Sequence, residues 1–184
     1  MFRNEKVKAR GMVTVRVLDE HGKIKRKDPG ILRKALWIPG RPLIQKKHNI
    51  ITNQGDALLA DWLLTAPTKT KITNTTGRIA VGTGWTGVST KANTGCNNQV
   101  GTRRAMDTGY PQTKGAFDAA DDNVIIYRAT FPAGSLNTNG IDEAALMNAA
   151  TNGECLAYAQ ITPEVNITSN DTLQIEWEIT FLGT

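Results

Sequence analysis

Apolar and polar side chains alternate without a break over residues 171–181. Successive side chains on a strand point to opposite faces, so Leu173, Ile175, Trp177, Ile179 and Phe181 share one face while Thr172, Gln174, Glu176, Glu178 and Thr180 share the other. This predicts a half-buried strand. The same alternation over residues 12–18, followed by Asp19, Glu20, His21, Gly22 and Lys23 as a turn before Ile24, predicts a strand–turn–strand hairpin. Residues 123–131 form a third candidate, with Val124, Ile126, Arg128 and Thr130 on one side and Ile125, Tyr127, Ala129 and Phe131 on the other, apolar enough on both faces to be central. Residues 78–84 read as a strand entering a Gly-rich turn. Residues 140–147 have helical propensity, but their place between two strand signals predicts a strand. A turn at residues 151–154 leads into a strand over 156–161, and Pro163 marks an edge or bulge.

Only residues 56–64 carry a convincing helical pattern. Thr52 or Asn53 can cap this helix, Leu58, Leu59, Trp62 and Leu63 fall on one face suited to core packing, and Pro67 closes it. Residues 31–38, bracketed by Pro29, Gly30, Pro39, Gly40 and Pro42, fit either a strand or a helical turn. Residues 84–117 are turn-rich and weakly periodic, a length of irregular chain that is usually functional or contact-forming. The pattern as a whole predicts a mainly β fold: an antiparallel β-sandwich or jelly-roll-like domain with one short helix and a basic, strand-bearing N-terminal segment.

Composition changes this picture in one respect. The 184 residues carry a formal net charge of +5, but residues 1–48 hold 14 Lys+Arg against 4 Asp+Glu and the remainder holds 8 against 13. The chain therefore divides into a basic segment, 1–48, and a β domain, 49–184. A basic arm either keeps a protein dispersed or docks on an acidic surface. Phe2, Trp37 and the Val/Ile positions of the arm read as packing residues rather than base-stacking platforms, which favours an acidic protein surface over nucleic acid. The first residues are charged with no apolar h-region behind them, and no apolar run approaches the roughly 20 residues needed to span a bilayer. The expectation is a soluble protein that starts in the cytoplasm, without membrane contact.

The chemistry-bearing residues do not assemble into a catalytic pattern. Cys96 and Cys155 are far apart without a CxxC or a companion His, so both read as isolated thiols. His21 and His48 both lie in the basic segment, and Ser89, Ser135 and Ser169 lie in turn-like sequence without a nucleophile elbow. Gly82, Thr83, Gly84, Trp85, Thr86 and Gly87 lack the Lys-Ser/Thr pair of a phosphate loop and read as a tight turn. Asp118, Asp121 and Asp122 read as a polar turn, and Glu176 with Glu178 as a solubilising strand face, although paired carboxylates are what a glycosidase needs. No enzymatic activity, metal or cofactor is expected. A carbohydrate-binding module, in which Trp85 and Tyr110 stack on sugar, is the alternative.

The order of motifs adds to this. Asn49, Ile50, Ile51, Thr52, Asn53, Gln54 and Gly55 before an amphipathic helix, then residues 79–84, then Ala129, Thr130 and Phe131, then residues 141–146, then the terminal alternating strand, together resemble a family of tailed-bacteriophage virion structural proteins described as tail, collar or fibre-associated components. The resemblance implies a sandwich or jelly-roll-like domain without enzymatic activity, repeated around a particle axis, in contact with other virion proteins and copies of itself. The expected docking residues are Lys23, Lys25, Arg26, Lys27, Arg33 and Lys34 on the basic segment and Trp85, Arg103, Arg104 and Tyr110 on the long irregular stretch.

Overall fold

A computed structural model describes residues 8–31, 34, 36, 39–116 and 119–182. Phe2, Arg33, Trp37, Asp118 and most of residues 31–38 lie outside the described residues. The fold is mainly β. Nine strands form one antiparallel sheet: β1 (Lys8–Leu18), β2 (Ile44–Ile51), β3 (Arg78–Gly82), β4 (Gln99–Ala105), β5 (Gln112–Thr113), β6 (Val124–Phe131), β7 (Thr138–Met147), β8 (Cys155–Ile167) and β9 (Thr172–Leu182). Their order across the sheet is β4-β3-β7-β8-β2-β1-β9-β6-β5. The sheet curls into a sandwich-like domain because β2 and β8 share only Ile50–Tyr158 and Ile51–Ala157. On either side of that narrow joint the two halves face each other.

β9 pairs along its length with β1, from Lys8–Leu182 to Leu18–Thr172, and on its other side with β6. Leu173, Ile175, Trp177 and Ile179 are buried, together with Val13, Val15 and Val17 of β1 and Tyr127, Ala129 and Phe131 of β6. The opposite half contributes Ile79, Val81, Ile141, Leu156 and Ile161 to the same core. The polar face of β9 is half-buried under cross-strand pairs: Arg16 reaches Glu176 at 3.2 Å and Gln174 at 3.1 Å, and Lys114 reaches Glu178 at 3.0 Å.

The structure departs from the sequence reading in several places. After its turn, the chain returns from β1 with only an isolated Leu18–Ile24 bridge, and the antiparallel partner of β1 is β2. The division between residues 48 and 49 falls inside β2, so the basic segment supplies two strands of the sheet and part of the core. The irregular stretch contains β4, an edge strand. β6 stands one place from the edge, with β5 covering it only at Ile125 and Ile126. Pro163 sits where the β7–β8 register jumps between Ile141–Val165 and Glu143–Gln160, which is a bulge.

The helix, α1 (Asn53–Trp62), is capped by Thr52. Thr52 Oγ1 accepts from the Gly55 amide at 2.9 Å and donates to the Cys155 carbonyl, while Gln54 Oε1 accepts from the Cys155 amide at 2.8 Å. A Cβ on Gly55 would lie 2.1 Å from the Leu156 carbonyl oxygen, so only glycine lets the first turn sit on β8. Leu58 is buried, but Leu63, expected on the packed face, is 88% exposed, because the helix ends at Trp62 and Leu63 turns away as its C-cap.

Trp177→Ala is expected to destabilise the fold by about 3–5 kcal/mol, and Leu63→Ala to change stability by no more than about 0.5 kcal/mol. Paired denaturant melts check both; a Trp177→Ala variant as stable as the parent would remove β9 from the centre of the core.

Candidate functional site

The second half of β7 and the first half of β8 are buried on both faces. The inner face meets the main core. The outer face, with Ala80, Ala145, Met147, Cys155 and Tyr158, forms a second small core against which Trp85, Cys96 and Ile50 pack. The connection from β3 to β4, residues 83–98, brings Trp85 and Cys96 onto it, and one carboxylate holds that connection down. Glu143 is 0% exposed. Its Oε1 accepts from the Gly84 amide at 3.1 Å and the Asn98 amide at 3.0 Å. Its Oε2 accepts from the Asn97 amide at 3.0 Å and the Tyr158 hydroxyl at 2.5 Å. Both ends of the connection are thereby bound to β7, and Asp142 adds the Trp85 amide at 3.2 Å.

This arrangement explains the glycines that resemble a phosphate loop. A Cβ on Gly82 would lie 2.4 Å from Glu143 Oε1, and one on Gly84 would lie 2.6 Å from the Asn98 amide nitrogen. Gly82 admits the chain's own carboxylate, and Gly84 admits the close approach of Asn98. Tyr158 and the two thiols beside it are held in their neutral forms: burial, reinforced by the Glu143 carboxylate, pushes the Tyr158 hydroxyl far up, burial pushes the Cys155 thiol to about 12, and burial followed by Glu143 raises the Cys96 thiol. Neither thiol has the lowered pKa that a reactive cysteine requires.

A second carboxylate closes the curled sheet. Asp107, just beyond β4, donates its amide to the Arg128 carbonyl at 2.8 Å and accepts from Arg128 Nε and the Thr130 hydroxyl, both at 2.8 Å, and from the Thr130 amide at 2.9 Å. Arg104 Nε donates to the Thr130 carbonyl at 2.8 Å. These bonds satisfy the outer edge of β6, which β5 is too short to cover.

The expected docking residues therefore separate. Arg104 belongs to the closure, and Arg103 donates to the Ala149 carbonyl at 3.2 Å and to Gln99 Oε1 at 3.1 Å. Trp85 and Tyr110 are half-buried in different places: Trp85 on the second core, Tyr110 against the main core with the Arg128 guanidinium 4.2 Å from its ring centroid. The described residues of 19–43 leave the sheet as an excursion between β1 and β2. Within it Lys25 is bound to Asp171 at 2.5 Å, Arg26 donates to the Gly40 carbonyl at 3.0 Å, and Lys34 pairs with Asp28 at 2.8 Å. Lys23 and Lys27, with Arg41, are exposed and make no ion pair among the described residues. Asp171 is the anchor of this excursion. Burial works against its charge, but the Lys25 ammonium and the Thr168 amide and hydroxyl outweigh burial and hold its carboxyl below the usual range.

An apolar groove of about 610 Å³ lies between α1 and the end of the sheet, lined by Leu59, Trp62, Leu63, Ile125 and Phe181. The sequence reading did not anticipate it. Among the described residues no three His, Cys, Asp or Glu side chains cluster as metal ligands, and no helix is long and apolar enough to cross a membrane. Comparison with protein-family models, with curated proteins and with solved structures returned no match.

Glu143→Gln replaces one acceptor oxygen with a donor and is expected to cost about 1–3 kcal/mol. The amides of Gly84, Asn97 and Asn98 should then exchange hydrogen faster relative to those of β9; unchanged protection would show that other contacts hold the connection. Asp171→Asn is expected to lower stability by about 1–3 kcal/mol at neutral pH. A carboxyl with a depressed folded pKa stabilises above its unfolded value, about 3.9, and loses that contribution as pH falls through the folded value. The difference between parent and variant should be constant from pH 7 to about pH 5 and shrink below about pH 4. A gap that widens on acidification would contradict the ion pair.

Proposed function

We propose that this chain is a non-catalytic structural subunit of a tailed-bacteriophage virion, present in repeated copies and fastened to an acidic protein neighbour by the excursion of residues 19–43. The observation that carries this reading is how the polar side chains are used. Glu143, Asp61 and Asp171, the buried carboxylates among the described residues, and the half-buried Asp107 each accept several hydrogen bonds from the chain itself. The exposed charge of Lys23, Lys27 and Arg41 is left over at one end of the sheet. Buried carboxylates bonded in this way are committed to structure, whereas exposed cations without an ion pair are free to meet an acidic surface. The resemblance of the motif order to virion structural proteins supports the same reading. The carbohydrate-binding alternative needs Trp85 and Tyr110 presented together, and they are half-buried on separate cores.

Binding of the purified protein to the assembled phage particle tests the proposal. Association should be saturable, should fall several-fold between low and physiological salt, since exposed charges are screened over about 8 Å at physiological ionic strength, and should fall further in Lys23→Glu/Lys27→Glu. Absence of binding at low salt, or binding indifferent to both salt and charge reversal, would overturn the charged contact.

A further inference from the structure

The groove beside α1 is unlike the rest of the surface. Leu59, Trp62, Ile125 and Phe181 form its walls, Leu63, 88% exposed, forms its lip, and Leu64, 58% exposed, follows Leu63 in the chain. Isolated exposed leucines are ordinary, but two adjoining a formed apolar groove make a continuous patch of the kind that marks an interaction surface. A hollow and a projection side by side on one patch are what an isologous contact uses, since a two-fold axis sets each copy's projection into the other's hollow. The charges agree. Among the described groove residues only Asp56 and Lys71 are charged, and they are of opposite sign. Lys71 has no ion-pair partner among the described residues, while Asp56 is met only by the exposed Lys91. A two-fold contact that brought Lys71 of each copy to Asp56 of the other would give two reciprocal pairs from one patch.

We infer that this groove is the contact between two copies of the chain, with Leu63 and Leu64 of each seated in the groove of the other and Asp56 paired to Lys71 across the axis. This deepens the repeated-subunit reading by naming the surface through which copies meet, and it rests on that reading. The groove and the basic excursion lie at opposite ends of the β1–β9 ladder: Ala9–Phe181 is at the groove end, and Leu18–Thr172 is where the excursion leaves. Eleven paired residues separate the two ends by about 30 Å. Contact with a like copy and contact with an acidic neighbour therefore do not compete.

Sedimentation equilibrium of the full chain from about 1 to about 100 μM is the test, with melting curves of each variant to establish that it is folded. A reversible monomer–dimer equilibrium is expected. Leu63→Glu should raise the dissociation constant about 30-fold or more, the size of losing a buried anchor. Lys71→Glu should weaken association by opposing Asp56, and Asp56→Lys added to it should recover part of the loss. A protein that is monomeric over the whole range, as when a foreign partner or another segment of this chain fills the groove, overturns the inference. So does a dimer indifferent to Leu63→Glu, or a double variant no better than Lys71→Glu alone. Particle binding separates this from the functional proposal: a monomer that binds particles refutes only the groove contact, and a dimer that ignores them refutes only the virion role.

Discussion

The pairing of β1 with β9 is the constraint on which the rest of the structure depends. It joins residues more than 150 positions apart, as in Arg16 to Gln174, and sets Val13, Val15 and Val17 beside Ile175, Trp177 and Leu173 in one buried layer. The ladder fixes both ends of the molecule. At one end Ala9 and Phe181 floor the apolar groove; at the other, the excursion leaves β1 and is gripped by Asp171 at the entry to β9. Contacts so distant in sequence close large loops before they stabilise anything, so this sheet belongs to the slow-folding, non-local class.

The ladder also accounts for much of the charge asymmetry. Basic residues of β1 and its excursion meet acidic residues of the C-terminal region: Arg16 meets Glu176, and Lys25 meets Asp171. Part of the acidic surface that the basic segment calls for is therefore supplied by the chain itself. Among the described residues 8–48, Lys23, Lys27 and Arg41 on the excursion and Arg10 and Lys46 on the strands remain exposed without an ion pair, a smaller charge than a count over residues 1–48 suggests. Placing the like-copy contact at the other end of the ladder lets one subunit repeat and dock at once.

Where a side chain's role follows from period or capping, the sequence was readable. The alternation of β9 and β1 shows directly because each has one core face, and Thr52 announces a helix because a short oxygen side chain there has a free amide to serve. β4 was not readable: Gln99, Val100, Gly101, Thr102, Arg103, Arg104 and Ala105 form an exposed edge with no apolar alternation, and Gly101 takes a φ of 62°. β7 was read as a strand from its place between two strand signals and not from its own pattern, because its second half is buried on both faces, which erases the period of two. Glu143 was not singled out in the sequence. The available signal was Gly82, whose missing Cβ admits its carboxylate, and that relation exists only once β3 and β7 are paired. The groove has no sequence signature because its walls come from α1, β1, β6 and β9 together.

A density map of the whole phage particle, at a resolution sufficient to fit this domain, is the most direct test of the account. The account predicts repeated copies of the domain in the virion, with the groove of each against a like copy and residues 19–43 against a neighbouring protein whose facing surface is acidic. Absence of the domain from the particle, or its presence with the excursion in open solvent, would contradict it.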